Sequence, residues 1–67
     1  MSMDKIFSFL VEIPGIRLDK YVAEKCPELS RTHAQKLIAD AYVKVNGQVA
    51  KSSLNLYEGD RVLITIP

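Results

Sequence analysis

Leu29–Ile38, "LSRTHAQKLI", and Val43–Gly47, "VKVNG", decide how this chain folds. In the first stretch Ser30 stands just before a run of helical periodicity. Its hydroxyl can accept a hydrogen bond from an otherwise unpaired first-turn N–H, an interaction worth roughly 1 kcal/mol. Leu29 and Ala34 occupy the two positions of a hydrophobic staple around that cap. Ala34, Leu37, Ile38 and Ala41 then fall on one stripe. Arg31 and Gln35 lie on one flank, and His33, Lys36 and Asp40 on the far side. In the second stretch Val43 and Val45 alternate with Lys44, and Asn46-Gly47 is the favoured centre of a type I′ turn because both positions need positive φ. A short amphipathic helix therefore hands over to a β-hairpin. Such a sequence requires a mixed fold.

Working outward, Phe7–Ile13, "FSFLVEI", mixes aromatic and β-branched residues and reads as a strand ended by Pro14-Gly15. From Arg17 to about Lys25, Leu18, Tyr21, Val22 and the stem of Lys25 share a helical stripe, with Asp19, Lys20, Ala23 and Glu24 on the other side. Asp19 is then a first-turn charge that favours the helix dipole, and Pro27 ends the helix. The small residues Ala34 and Ala41 would let the two helices approach closely. "NLYEGD" reads as a polar turn, and Arg61–Ile66, "RVLITI", as a closing strand. The expected order is β-α-α-β-β-β, an α+β fold in which a two-helix hairpin packs on a small, mainly antiparallel sheet.

At 67 residues the chain is one domain, 1–67. A chain of that size buries only about 60% of its unfolded surface, so nearly every apolar residue is expected to pack. A composition of 48% hydrophobic and 25% charged residues is that of a globular domain, and a net charge of +1 argues for no partner class. The distribution is less even: from Ser30 to Ser53, Arg31, Lys36, Lys44 and Lys51 face a single acid, Asp40. His33 adds a further charge when protonated. Cys26 is the one cysteine, which excludes a disulfide framework and suits a reducing cytoplasm. The apolar runs are too short to cross a bilayer, and "MSMDKI" lacks the pattern of a secretory signal. The ending "LITIP" is expected to lead into further chain, making the domain a fragment of a larger protein.

Catalytic chemistry finds no support in these residues. His33 is the one histidine and lies on a solvated face, and a capping Ser30 turns its hydroxyl toward its own backbone. One His and one Cys on different elements do not make a zinc site, and no glycine-rich phosphate loop is present. No metal or cofactor is expected. Polyanion binding is better supported. Arg31 at a helix start can offer a forked guanidinium to phosphate beside the electropositive helix end. Lys36 extends that surface, Arg17 and Lys20 can join from the first helix, and Lys44 and Lys51 from the hairpin. Scattered surface charge is the bland alternative. Tyr21, Tyr42 and Tyr57 could stack on bases, although Tyr21 fits the core better.

In order and spacing, "RLDK", "LSR" with "AQKLI", "VKVNG" with Lys51 four residues on, and "L..GD.V.I" resemble the ribosomal protein S-four-type RNA-binding domain, the alpha-L motif, over residues 15–67. "GxRLDK", "PELSR" and "GDRVLITIP" are most similar to the amino-terminal domain of RluA/RluD-type pseudouridine synthases. In that family a larger catalytic domain follows and carries the aspartate that attacks the uridine. The resemblance therefore implies RNA docking by this chain and not the reaction. It implies contacts to structured rRNA or tRNA from Arg17, Lys20, Arg31, Gln35, Lys36 and Lys44, with Thr32, His33, Asn46 and Lys51 as further candidates. Ser30, Asp19 and Gly47 would serve as cap, first-turn charge and turn.

Two departures stand out. The family usually carries a basic residue in place of His33, which implies a weaker and more pH-sensitive surface. It commonly has glycine in place of Ala41, where a left-handed alanine would cost about 1 kcal/mol unless the helix ends differently. Competing functions are a free-standing ribosome-associated RNA binder and a protein-interaction module that uses the hairpin's exposed edge.

Overall fold

The computed structural model describes residues 5–67, so the first four residues of the 1–67 span lie outside the description. The elements are β1 (Lys5–Leu10), β2 (Ile16–Arg17), α1 (Leu18–Lys25), α2 (Arg31–Ala39), β3 (Val43–Val45), β4 (Gln48–Val49), β5 (Asn55–Leu56) and β6 (Arg61–Ile66). The expected α+β architecture is present, with a two-residue β2–β5 ladder in addition to the main sheet. That sheet runs β1-β6-β3-β4 with every neighbouring pair antiparallel. β6 is central because its alternation serves both neighbours. Val62 faces Phe9 and Val45, and Ile64 faces Phe7 and Val43, all on one side of the sheet. The helices cover that side, and Leu18, Val22, Ala34, Ile38, Val43, Leu56, Val62 and Ile64 form the centre of the core. Among the described residues nothing covers the opposite side, as one-sided antiparallel sheets allow.

That one-sidedness limits the expectation that nearly every apolar residue packs. Ile6 and Leu10 on β1 are 65% and 54% exposed, and Leu63 and Val49 also reach solvent. They alternate out of phase with the core residues, and the helical pair can cover only one face. β1 itself begins and ends earlier than Phe7–Ile13. It loses its partner where β6 starts, and beyond it only Val11 stays tied, through Val11 N–H to the Asp60 carbonyl and Gly59 N–H to the Val11 carbonyl.

The segment "NLYEGD" is more than a turn. Asn55 and Leu56 pair with Arg17 and Ile16, and Leu56 is fully buried. This ladder also starts α1. No side chain caps that helix; instead the Leu18 and Asp19 N–H groups donate to the carbonyls of Leu54 (2.8 Å) and Ser52 (3.1 Å). Two donors that every helix start leaves unpaired are thus satisfied by a neighbouring loop. α2 is capped as its sequence indicates: Ser30 Oγ accepts from His33 N–H at 3.1 Å, and Leu29 and Ala34 are both buried.

The β3–β4 turn places Asn46 and Gly47 at φ 52° and 81°, as a type I′ turn demands. Asn46 also locks the neighbouring turn. Its Nδ2 donates to Asp60 Oδ1, and its Oδ1 accepts from Arg61 N–H, both at 3.0 Å.

α2 stops at Ala39, so Ala41 is not part of its buried stripe; it is exposed, in the left-handed region at φ 66°. Tyr42 N–H donates to the Leu37 carbonyl and Ala41 N–H to that of Ile38, the paired bonds of a Schellman ending. That ending favours glycine at the position alanine occupies. Ala41→Gly should stabilise the domain by about 0.5–1 kcal/mol, the strain relieved less the extra chain entropy of glycine. For a domain of this size, that is about 4 °C in Tm. A thermal melt with no gain would show that the local backbone carries no such strain.

Candidate nucleic-acid interface

Asp19 lies at the junction of α1, α2 and the loop before β5. Its side chain has 0% exposure, against 47% for Arg17 and 53% for Arg31. Burial of a carboxylate is tolerable only if its lone pairs are filled, and here four donors fill them. Oδ2 accepts from Gln35 Nε2 at 2.9 Å, Arg17 Nη2 at 3.2 Å and Arg31 Nε at 3.4 Å, while Oδ1 accepts from the Lys20 N–H at 2.8 Å. Arg31 and Gln35 reach it together because residues four apart share a flank of a helix. Burial alone would raise the Asp19 pKa. The Gln35, Lys20 and Arg31 hydrogen bonds and the Arg17 charge outweigh it and hold the carboxyl below its ordinary value.

Asp19 is a first-turn acid as expected, but its place on the side of α1 away from the buried stripe is corrected: it is fully buried. Its carboxylate faces the second helix. The position next to Val22 on the helical wheel, with Arg31 and Gln35 across the gap, is the sequence signal for that role.

The consequence for a ligand is preorganisation. Each guanidinium has five N–H donors and spends one on Asp19. The others belong to side chains that are half exposed, restrained and directed by a shared anchor. A restrained Arg loses less rotamer entropy when it meets an anion than a free one does. Asp19 cancels part of the positive charge, so the gain is in placement more than in field strength.

The remaining candidates are dispersed. Lys51 and Gln35 line one shallow cleft of about 450 Å³ between α2 and residues 49–53, which brings Lys51 to the same side as the arginines. Lys20 is exposed on α1, and Thr32 and Lys36 lie one turn apart on the solvent side of α2, with His33 exposed on its other flank. Lys44 is elsewhere. Val43 and Val45 point into the core, so Lys44, opposite Leu63 and Val49, stands on the uncovered face of the sheet. Asn46 spends its amide on Asp60 and Arg61.

Other chemistry is weakly supplied. Ser30 is occupied as a cap, Cys26 is buried with its thiol pKa raised by that burial and by Glu28, and no cluster of metal-ligating side chains occurs among the described residues. No described helix is long and apolar enough to cross a membrane.

The Asp19 network makes stability depend on acid in a defined direction. Because the folded pKa is lowered, its contribution is complete above the ordinary value of 3.8 and is lost as pH falls through the folded value. Asp19→Asn should cost on the order of 2 kcal/mol at pH 7, a buried charged hydrogen-bond network discounted for half-exposed partners. It should also flatten the loss of stability below about pH 4. Urea unfolding at pH 7 and in the acid range measures both, and wild-type midpoints at each pH would refute the network's energetic role.

Residues 16–62 match the S4 domain. Three RNA pseudouridine synthases, all of them named as uncharacterized, are similar to the chain. The one from Aquifex aeolicus (strain VF5) is 40% identical over 68 residues, covering 100% of the chain and 22% of that protein. The one from Synechocystis sp. is 50% identical over 54 residues, 79% of the chain and 16% of that protein. YlyB of Bacillus subtilis (strain 168) is 37% identical over 51 residues, 76% of the chain and 17% of that protein. The chain therefore spans about a fifth of the length of these relatives. All of α1, α2 and the β3–β4 hairpin falls within the matched residues. The chain belongs to the S4 domain family, a family of RNA-binding modules.

Proposed function

We propose that the domain docks structured rRNA or tRNA, in the cytoplasm, on the face formed by Arg17, Arg31, Gln35, Lys36 and Lys51. In its parent protein it holds that RNA for a pseudouridine synthase catalytic domain supplied by other parts of the polypeptide. The observation that carries this reading is the Asp19 anchor, which holds Arg17 from β2 with Arg31 and Gln35 from α2 in one constellation. The similarity to RNA pseudouridine synthases over a small part of their length supports the synthase context.

The domain's part is binding. Guanidinium forks engage phosphate oxygens in directed pairs, while ammonium groups act as point charges. Arg17 and Arg31 accordingly set the register of the RNA backbone. Lys36 and Lys51 extend the contact on either side, and Lys20 and Thr32 widen its rim, with His33 on the opposite flank of α2. Recognition of this kind reads helical shape and phosphate position. Lys44 adds to the overall field from the far side of the sheet, and Asn46 keeps the hairpin in shape.

A salt titration of binding to a structured RNA hairpin, read by fluorescence anisotropy, tests the proposal. Four to five phosphate contacts give a log–log slope of roughly −3 to −4. Arg31→Ala with Lys36→Ala should weaken binding and make the slope shallower by about 1–2, whereas Lys44→Ala should change it little. RNA binding that ignores salt would contradict the phosphate contacts; the protein-interaction reading predicts instead a protein partner whose binding barely responds to salt.

A further inference from the structure

A second groove, of about 570 Å³, opens beside the β3–β4 hairpin, between β4 and the turn that follows β5. Val49, Leu54 and Tyr57 give it apolar walls, and all three reach solvent, Tyr57 at 67% exposure. Asn55 and Gln48 add hydrogen-bonding groups to the lining. The wall carrying Tyr57 is held in place. Tyr57 N–H donates to Asp60 Oδ2 at 2.9 Å, Asp60 N–H donates to the Tyr57 carbonyl at 3.0 Å, and Asn46 clamps the same Asp60 from the hairpin. Exposed apolar side chains gathered in one groove with polar groups beside them offer a ligand more than the same side chains scattered singly.

Two links join this groove to the arginine face. Lys51 lines both the groove and the cleft beside Gln35. Asn55 stands directly opposite Arg17 in the β2–β5 register, one strand spacing of about 4.8 Å away. A polyanion held by Arg17, Arg31 and Lys51 thus passes the mouth of an apolar slot with an aromatic wall.

We propose that the groove takes one unpaired nucleobase of the bound RNA, stacked on the Tyr57 ring and packed against Val49 and Leu54, with Lys51 on the adjoining phosphate. This rests on the RNA reading above and deepens it. The RNA class it selects is a helix carrying a bulged or looped-out nucleotide, as opposed to an uninterrupted duplex. The other lining groups fit this occupant. Asn55 and Gln48 can meet a base edge with either donors or acceptors, and stacking on an aromatic ring tolerates any base.

The test compares two RNA hairpins with the same stem, one fully paired and one with a single bulged nucleotide. Anisotropy titrations use the wild-type domain, Tyr57→Phe and Tyr57→Ala, each first shown by circular dichroism to be folded. The expected result is that the bulged hairpin binds about tenfold more tightly than the paired one, the scale of one base–aromatic stack. Tyr57→Phe should retain the preference and Tyr57→Ala should lose it, with affinity for the paired hairpin unchanged. Equal binding of both hairpins by the wild-type domain, with a steep salt slope, overturns the base site and leaves the RNA face standing. A bulge preference that survives Tyr57→Ala also overturns it. Failure of both hairpins to bind at low salt overturns the RNA reading, and the base site with it.

Discussion

A carboxylate without access to water has to be surrounded by donors, and in this domain that requirement organises the face that carries Arg17, Arg31 and Gln35. Asp19 cannot be satisfied from its own helix alone. It draws Arg17 from the strand before α1, Arg31 and Gln35 from the flank of α2, and the Lys20 amide from its own first turn. The same bonds that make its burial affordable tie the two helices together and set the direction of both guanidiniums. The stability of the junction and the placement of these side chains are therefore one arrangement seen from two sides.

The rest of the fold supports this junction by closing off backbone groups around it. The β2–β5 ladder leads directly into α1, and the loop before β5 accepts the first two amides of that helix. No flexible connection separates Arg17 from Asp19, and the segment bearing Lys51 lies against the same helix start. At the other end of the groove lined by Lys51 and Asn55, the Asn46–Asp60–Arg61 bonds lock the hairpin to the turn that begins β6. The sheet needs that precision because it has a single covered face, and a slip of one residue would exchange Val62 and Ile64 for Arg61 and Leu63.

Local signals made most of the fold legible. Ser30, Leu29 and Ala34 specify a helix start through capping and stapling, Asn46-Gly47 specifies a turn through φ, and Val62/Ile64 specify an inner face through alternation. What stayed hidden depended on pairings distant in sequence. Two residues of strand at Asn55–Leu56 are too short for any periodicity, and they exist because Ile16–Arg17 lies opposite. Asp19 has the sequence of an ordinary helix-start acid, and only the arrival of α2 buries it.

The candidate contacts divide in the same way. Arg17, Arg31 and Gln35 converge because helical spacing and one buried acceptor demand it. Lys44, adjacent in motif terms, goes to the opposite face because β-strands alternate. Tyr57 could not be assigned from its neighbours, since its exposure follows from the turn that Asp60 braces.

On the reading proposed above, RNA meets the Asp19-linked face and not the uncovered side of the sheet. The direct measurement is an NMR titration of the isotope-labelled domain with a structured RNA hairpin, following the backbone amides and the Nε–Hε signals of Arg17 and Arg31. The account predicts that the largest shifts fall on those two guanidiniums and on the amides of residues 31–36 and 51–53, with Lys44 and Leu63 unmoved. Shifts concentrated on Lys44, Leu63 and the uncovered side of the sheet, with both arginine signals unchanged, would contradict it.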